Sequence, residues 1–411
     1  MSRRLKALLH DLPVGELSEM PDGGVEYRFF GSYRELVPRP VLSQKFEDDL
    51  ERIYRSRKGQ GLPDFFANLI PEGPLTNVIA ESAGIDEGDD LALLGFVGRD
   101  LPGAVSVRTL DDEHVGSQFG NAPAATLEDD AARAREALRF SLAGVQLKFS
   151  MLREADKLTL PAKDRSGEWI VKFESPTFPH LPENEISMLE WARAAGFDVP
   201  ECHLHFVDDI VGFPRRYAPS DSQVLAIRRY DRVPQGRVHQ EDFAQAVGLP
   251  PKKKYDQVTH DVMASLVRRF IDDEAVDELV RRLIFTVASG NNDAHLKNWS
   301  LVYPDTIRAR WSPLYDQVAT VAWEGLDRTL ALKLGGVKEF SRIDRSTFER
   351  FAERAQIDGR RVLELVDGTL ERLRTAWREI GSDLPLPKAH AEALLTHWQN
   401  VPVLRTAGSL D

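Results

Sequence analysis

The sequence predicts an α+β fold of two lobes, a β-rich lobe followed by a mostly helical one. Three observations carry this. Period-2 alternation runs through the segments near 147–151 and 169–173, a 3.6-residue apolar period takes over beyond Pro234, and a mixed segment precedes both. At 411 residues the chain is long enough for two or three structural units and a sizeable core.

The elements follow in order. Residues 1–110 read as one unit, with an early strand at Tyr27, Phe29 and Phe30 and a later one at Val105 to Thr109. Between them, Leu69, Ile70, Val78 and Ile79 are mixed with Pro71, Gly73 and Pro74, so this stretch is helical only in pieces. Residues 111–130, rich in Asp, Glu, Gly, Asn and Ala, are expected to be a linker or surface loop. Residues 131–233 form the core of the β-rich lobe. There Leu147, Phe149 and Met151 alternate with Gln146, Lys148 and Ser150, and Trp169, Val171 and Phe173 alternate with Ile170 and Lys172. A helix is expected over about 184–195, with Asn184 as N-cap and Gly196 as left-handed C-terminal cap. Strands at His203 to Val207 and Val224 to Arg229 complete a small antiparallel sheet with one helix. Residues 234–411 form the helical lobe. Val276, Leu279, Val280, Leu283, Ile284 and Val287 share one helix face, which ends at Ser289 and Gly290. Trp299 to Tyr303 and Ile307 to Trp311, joined at Pro304-Asp305, read as a hairpin, and the tail from about 346 to 400 is helical again.

Composition narrows the function classes. A net charge of −12 argues against a chain that coats nucleic acid with its whole surface. Cys202 is the one cysteine, so no internal disulfide forms, which suits a reducing cytosol. The apolar run near Arg3, Arg4 and Lys6 is too short for a signal peptide, and no stretch approaches the ~20 apolar residues of a membrane span. A soluble, cytoplasmic protein is expected.

The residues that could carry chemistry begin with Asn292-Asp293-Ala294-His295-Leu296-Lys297-Asn298, in the loop after the amphipathic helix. Phosphoryl transfer needs a carboxylate for the attacking hydroxyl and a nearby neutral oxygen ligand for magnesium. Asp293 and Asn298 have the spacing that kinase catalytic loops use. The plainer alternative is that both satisfy loop backbone groups. After the hairpin comes Leu314-Tyr315-Asp316, and an acidic residue there is where kinases place their main magnesium ligand. The plainer alternative makes Asp316 a turn residue after Pro313. Lys172, inside an apolar strand, either snorkels to solvent or reaches the phosphates of ATP. Glu185 shares a helix face with Leu189 and Ala192 and is a candidate partner for Lys172; equally it is a first-turn Glu favoured by the helix dipole. Ser141-Leu142-Ala143-Gly144-Val145-Gln146-Leu147-Lys148 lies at a strand turn with one glycine, a weak phosphate-loop signal by itself. Cys202, His203 and His205 alternate along a strand and so make a poor zinc set. Lys252-Lys253-Lys254 reads as a solvated run.

In this order the motifs resemble those of the HipA family, the kinase toxins of HipBA-type toxin–antitoxin pairs. The resemblance spans nearly the whole chain. It includes Phe65 to Pro71, Gly98-Arg99-Asp100, Gly103-Ala104-Val105, Ser141 to Lys148, Asn184-Glu185, Arg229-Tyr230-Asp231-Arg232, Gln240-Glu241-Asp242-Phe243, Asp293 to Asn298 and Tyr315-Asp316. It implies a bilobal protein-kinase-like (HipA-like) fold with an extra N-terminal subdomain, and an ATP- and Mg2+-dependent serine/threonine protein kinase. Asp293 would be the catalytic base, Asn298 and Asp316 the magnesium ligands, and Lys172 a phosphate contact. Ala143, Gly144, Val145, Gln146, Leu147 and Lys148 would cover the nucleotide. Arg228, Arg229 and Tyr230 would form the hinge beside adenine, with His295 and Tyr315 also on the ATP side. Ser141 would be the autophosphorylated serine, whose added charge ejects the phosphate loop. Leu147 and Arg228 stand where acidic residues are common in the family. The resemblance further implies an aminoacyl-tRNA synthetase as protein substrate, with slowed growth as the result. It also implies a HipB-like helix-turn-helix antitoxin as the partner that carries most of any DNA contact. Two rivals stand beside it: a small-molecule or lipid phosphotransferase, which also uses an Asp-x-His-x-x-Asn loop, and a catalytically dead corepressor, which should lack one of Lys172, Asp293, Asn298 or Asp316.

Overall fold

In the first third of the chain five short strands form an antiparallel sheet, with helices at Pro74–Ala83 and Asp90–Val97 between the fourth and the fifth. The computed structural model describes residues 3–72, 74–86, 88–110, 147–154, 157–159, 161, 166–211, 221–406, 408 and 410. The chain divides into two compact units: residues 1–174, 205–251 and 302–308 form the first, and residues 175–204, 252–301 and 309–411 the second.

The first unit opens with β1 (Arg4–Leu9), β2 (Leu12–Glu19), β3 (Val25–Phe29), β4 (Tyr54–Ser56) and β5 (Val105–Thr109), in the order β4-β3-β2-β1-β5. Strand β3 overlaps the early strand expected at Tyr27, Phe29 and Phe30 and β5 matches the later one, whereas β1, β2 and the three-residue β4 went unread. The chain continues through β6 (Lys148–Glu154), β7 (Lys157–Thr159), β8 (Trp169–Phe173), β9 (Cys202–Phe206), β10 (Ile210–Val211) and β11 (Gln223–Arg228). Within this unit they run in the order β10-β7-β6-β8-β11. β10 pairs with β7 in parallel, so the expectation of a wholly antiparallel sheet is corrected. Neighbours joined by a tight turn must run antiparallel, but a long connection lets β10 return in the direction of β7. Leu5, Leu17, Tyr27 and Phe66 share one continuous core with Phe149, Val171, Phe173 and Val224.

A buried charge quartet ties Asp100 to the segment after β11. Arg229 reaches Asp100 at 3.0 Å and Asp231 at 2.9 Å, and Arg232 reaches the same two carboxylates at 2.8 Å each. Asp231 also accepts the Gly103 N–H at 2.7 Å, and Ser150 Oγ accepts from Arg229 at 2.9 Å. The motifs Gly98-Arg99-Asp100 and Arg229 to Arg232 are therefore partners. Burial alone would raise both carboxyls, but the Arg229 and Arg232 guanidiniums outweigh it and hold both below the usual range. A second buried polar group gathers on Glu241, in a strand at His239–Asp242. It accepts from Tyr303 Oη at 2.5 Å and from the Gln44 N–H at 2.9 Å. His239 stacks on Tyr303 with ring centroids 5.4 Å apart.

The second unit is mainly helical: His260–Phe270, Ala275–Ser289, Arg345–Ala355, Gly359–Ile380 and Lys388–Asn400. The helix expected with the small sheet, Leu181–Ala194, is grouped here. Its Trp191 fills the core against Phe285, Trp377 and Trp398, and its indole N–H donates to the Leu373 carbonyl at 2.9 Å. Asn184 is not its N-cap: the helix starts at Leu181, after His180 in a left-handed conformation, because Pro182 suits the first turn and Asn184 is used elsewhere. Gly196 does adopt positive φ just past the helix end. In the hairpin after Trp299 the strands are Ser300–Tyr303 and Arg310–Trp311, and the second arm is shorter than expected. Asp305 Oδ1 accepts the Ile307 and Arg308 N–H groups there, which holds those residues in the turn. Among the described residues no helix is long and apolar enough to cross a membrane.

Two outcomes follow from the buried charges. Asp231→Ala strands two guanidiniums and should destabilise the protein by about 3–5 kcal/mol, read by denaturant unfolding of the full chain; a loss below ~1 kcal/mol would contradict the quartet's role. Burial pushes the Glu241 carboxyl up to about 7. An acid raised on folding stabilises fully below its ordinary value of 4.5 and loses that contribution as pH rises through 7. Relative to Glu241→Gln, the parent chain should lose on the order of 3 kcal/mol across that window. Parallel pH–stability curves for the two proteins would rule this out.

Candidate active site

The amphipathic helix Ala275–Ser289 stops at Gly290, at φ +65°, where a Cβ would lie 2.5 Å from Val321 Cγ1. The loop that follows is pinned at nearly every residue. Asn291 Oδ1 accepts the Asp293 N–H at 3.0 Å, and the Asn292 N–H donates to Thr320 Oγ1 at 2.8 Å. Thr320 Oγ1 in turn donates to the Gly290 carbonyl at 2.8 Å. The Leu296 N–H donates to the Lys254 carbonyl at 3.1 Å, and the Trp299 indole to the Ala294 carbonyl at 3.2 Å. Asp293 is thus an exposed carboxylate on a fixed backbone. Asn298 Nδ2 donates to the Asp293 carbonyl at 2.9 Å, which turns the amide oxygen, a neutral hard ligand, away from that bond. His295 is buried, and its Nδ1 has no hydrogen-bond partner among the described residues. Burial, then Lys254, pulls its imidazole down to about 3 against the opposing pull of Asp316, so it is neutral at physiological pH.

Asp316 belongs to the same unit and lies within electrostatic reach of His295. Its φ of +56° is the left-handed region, which costs a non-glycine residue roughly 1–2 kcal/mol. His10, Asp11, His180, Gln257, Thr306 and Gln356 also have positive φ, so the conformation by itself does not separate a ligand from a turn residue. The flanks supply the restraint. Tyr315 Oη donates to the Lys297 carbonyl at 2.9 Å and shares a 2.6 Å hydrogen bond with Ser300 Oγ. Gln317 Nε2 donates to the Tyr315 carbonyl at 2.8 Å. Three residues on, Asn184 Oδ1 accepts the Ala319 N–H at 2.8 Å. Asn184 is fully buried and lies one residue before Glu185, itself 1% exposed in the second turn of its helix. Glu185 is therefore a buried second-turn residue and not a first-turn one.

The first unit carries the remaining described candidates. Lys172 is 4% exposed and is the direct cross-strand partner of Lys148. Like charges placed opposite one another repel, and a polyanion such as a triphosphate offsets that cost. Leu147 precedes Lys148 at the strand end and is half-buried. Arg228 is exposed at the end of β11, and the Tyr230 hydroxyl donates to Gln240. Arg229 is committed within the fold: its side chain enters the charge quartet and its N–H donates to the Glu168 carbonyl at 2.8 Å. Ser141, Ala143, Gly144, Val145 and Gln146 lie outside the described residues.

The structure thus gathers Asp293, His295, Asn298, Tyr315 and Asp316 in the second unit and pairs Lys148 with Lys172 in the first. Two participants escaped the sequence reading. Asn184 was taken for a cap, because an Asn at a helix start usually is one. Tyr255, whose hydroxyl donates to Asp293 Oδ1 at 2.5 Å, follows a lysine run with no period to flag it. That run is also corrected: Lys252 and Lys253 are exposed, but Lys254 is buried beside the Asp293–Asn298 loop. Cys202 donates to Glu190, and no metal-binding cluster of His, Cys, Asp or Glu occurs among the described residues.

The same pattern recurs in known proteins. The HipA-like C-terminal domain model matches residues 140–377, and the HipA N-terminal domain model matches residues 5–108. A Sinorhizobium fredii protein named "Putative kinase Y4dM" is 36% identical over 406 residues, covering 98% of each chain. The "Serine/threonine-protein kinase toxin HipA" of Shewanella oneidensis is 27% identical over 300 residues, 66% of each. Among solved structures, a chain from the Shewanella oneidensis HipA, HipB and operator DNA complex superposes with a TM-score of 0.74 at 22% identity, covering 96% of this chain and 94% of that one. The bilobal kinase-like fold expected from the sequence is therefore the fold found. This chain belongs to the HipA family of kinase toxins.

Proposed function

We propose that this chain is an ATP- and magnesium-dependent serine/threonine protein kinase, the toxin half of a type II toxin–antitoxin pair. The carrying observation is the pinned loop that presents the Asp293 carboxylate, beside an Asp316 held at positive φ. The donor set suits the cofactor. Asn298 offers a neutral amide oxygen and Asp316 a carboxylate, a combination magnesium accepts, while Lys148 and Lys172 together suit a polyphosphate. Magnesium-ATP, when bound, supplies the transferable phosphoryl group with its charge partly neutralised. The chain's own residues do the rest. Asp293 orients the acceptor hydroxyl and takes its proton. Lys172 holds phosphate oxygens, with Glu185 as its assigned carboxylate. His295, being neutral, serves as a hydrogen-bonding group. Arg228 and Tyr230 are assigned to the adenine side, and Ala143 to Leu147 to the loop over the phosphates. Arg229 is left to the fold, since its side chain and N–H are already engaged.

The same reading covers partners. A HipB-like helix-turn-helix antitoxin would neutralise the kinase and carry most of the DNA contact, as the complex of the Shewanella protein suggests and the −12 charge favours. The substrate proposed is an aminoacyl-tRNA synthetase, whose phosphorylation in the cytoplasm would halt translation and slow growth.

Asp293→Gln and Asp316→Asn should each lower phosphorylation by at least ~10²–10⁴-fold and relieve growth arrest, with unfolding curves unchanged. Radiolabelled ATP with protein and small-molecule acceptors checks this; undiminished toxicity in either variant, or label on sugars or lipids alone, would end the proposal. Ser141→Ala should abolish the main self-modification and leave a persistently active enzyme. Mass spectrometry that finds the dominant phosphate at another residue would discard Ser141.

A further inference from the structure

Resting on the kinase reading above, we propose that Tyr255 is a positioning residue for Asp293. Its phenol would fix the orientation in which the carboxylate meets the acceptor hydroxyl. The lysine run before it otherwise has no role, yet the structure docks its end on the catalytic loop at three points. The Lys254 carbonyl accepts the Leu296 N–H at 3.1 Å. The Tyr255 ring packs edge-on against buried His295, with centroids 5.0 Å apart at 79°. The Tyr255 hydroxyl donates to Asp293 Oδ1 at 2.5 Å. Lys254 is buried as well, with its ammonium 5.6 Å from the Tyr255 ring centroid.

This arrangement answers a specific need. The backbone bonds of the loop fix the Asp293 Cα but not its side-chain torsions, and the residue is exposed. A base that swings freely presents its oxygen to the acceptor only part of the time, and misplacement by about 1 Å can cost ~10²-fold in rate. A phenol has two torsions, and here the ring packs on His295, so its bond to Oδ1 favours one carboxylate orientation. Tyr255 is 40% exposed, so removal of its hydroxyl leaves the core untouched.

The test is Tyr255→Phe in the full chain, alone and combined with Asp293→Asn. Incorporation of radiolabelled phosphate into the chain itself and into added casein is followed against ATP concentration. Expected is a fall in the maximal rate of about 10-fold or more with the half-saturating ATP concentration unchanged. In the Asp293→Asn background the same substitution should cost nothing further, because Tyr255 acts through that carboxylate. An unchanged or raised maximal rate, or an equal loss in both backgrounds, would overturn the assignment while leaving the kinase reading intact. If Asp293→Asn itself kept full activity, or the unsubstituted chain incorporated no label, the kinase reading would fall first and this one with it.

Discussion

The hydroxyl of Thr320 holds the catalytic loop in place. It donates to the Gly290 carbonyl and accepts the Asn292 N–H, both at 2.8 Å, so one side-chain oxygen closes the turn that ends the long helix and starts the loop. Thr320 lies four residues after Asp316, and the adjacent Ala319 is held by Asn184. The segment that carries one proposed magnesium ligand is therefore stitched to the loop that carries the proposed base, Asp293, and the other proposed ligand, Asn298. Each such bond contributes only about 1 kcal/mol net, but together they exceed the strain of a left-handed Asp316. The strained conformation persists because its surroundings over-determine it.

A comparable constraint works in the first unit. Two arginines and two aspartates share a space that excludes water, joining a turn near Asp100 to the chain after β11. A buried ion cluster contributes little by itself, since desolvation offsets much of the attraction. Its effect is specificity: a misregistered β11 would leave buried charges uncompensated. This explains why a segment that sequence reasoning assigned to nucleotide contact spends Arg229 on the fold. Lys148 and Lys172 are direct cross-strand partners on β6 and β8 of the same sheet.

Much of this was legible in the chain. Alternation located the start of β6 and the whole of β8, because Phe149, Met151, Trp169, Val171 and Phe173 face the core. The apolar stripe from Val276 to Val287 gave the long helix and its glycine stop. The loop Asp293 to Asn298 and the Asp after the hairpin stood out because phosphoryl transfer demands those groups in that order. Short strands such as β4 and β10 were not legible, since two or three residues carry no period. The parallel pairing of β7 with β10 was not legible either, because direction depends on the path of the connection.

The sequence by itself determined the fold class and the family and nominated the candidate reacting groups, for these follow from local periodicity and from motif order along the chain. Tertiary structure decided which side chains those groups lean on. Asn184 as a tether, Tyr255 on Asp293, Lys254 beneath the loop and Arg229 in the quartet all depend on contacts between residues far apart in sequence. Such contacts leave no mark on local composition, because an Asn that ties two segments together has the same neighbours in the chain as one that caps a helix.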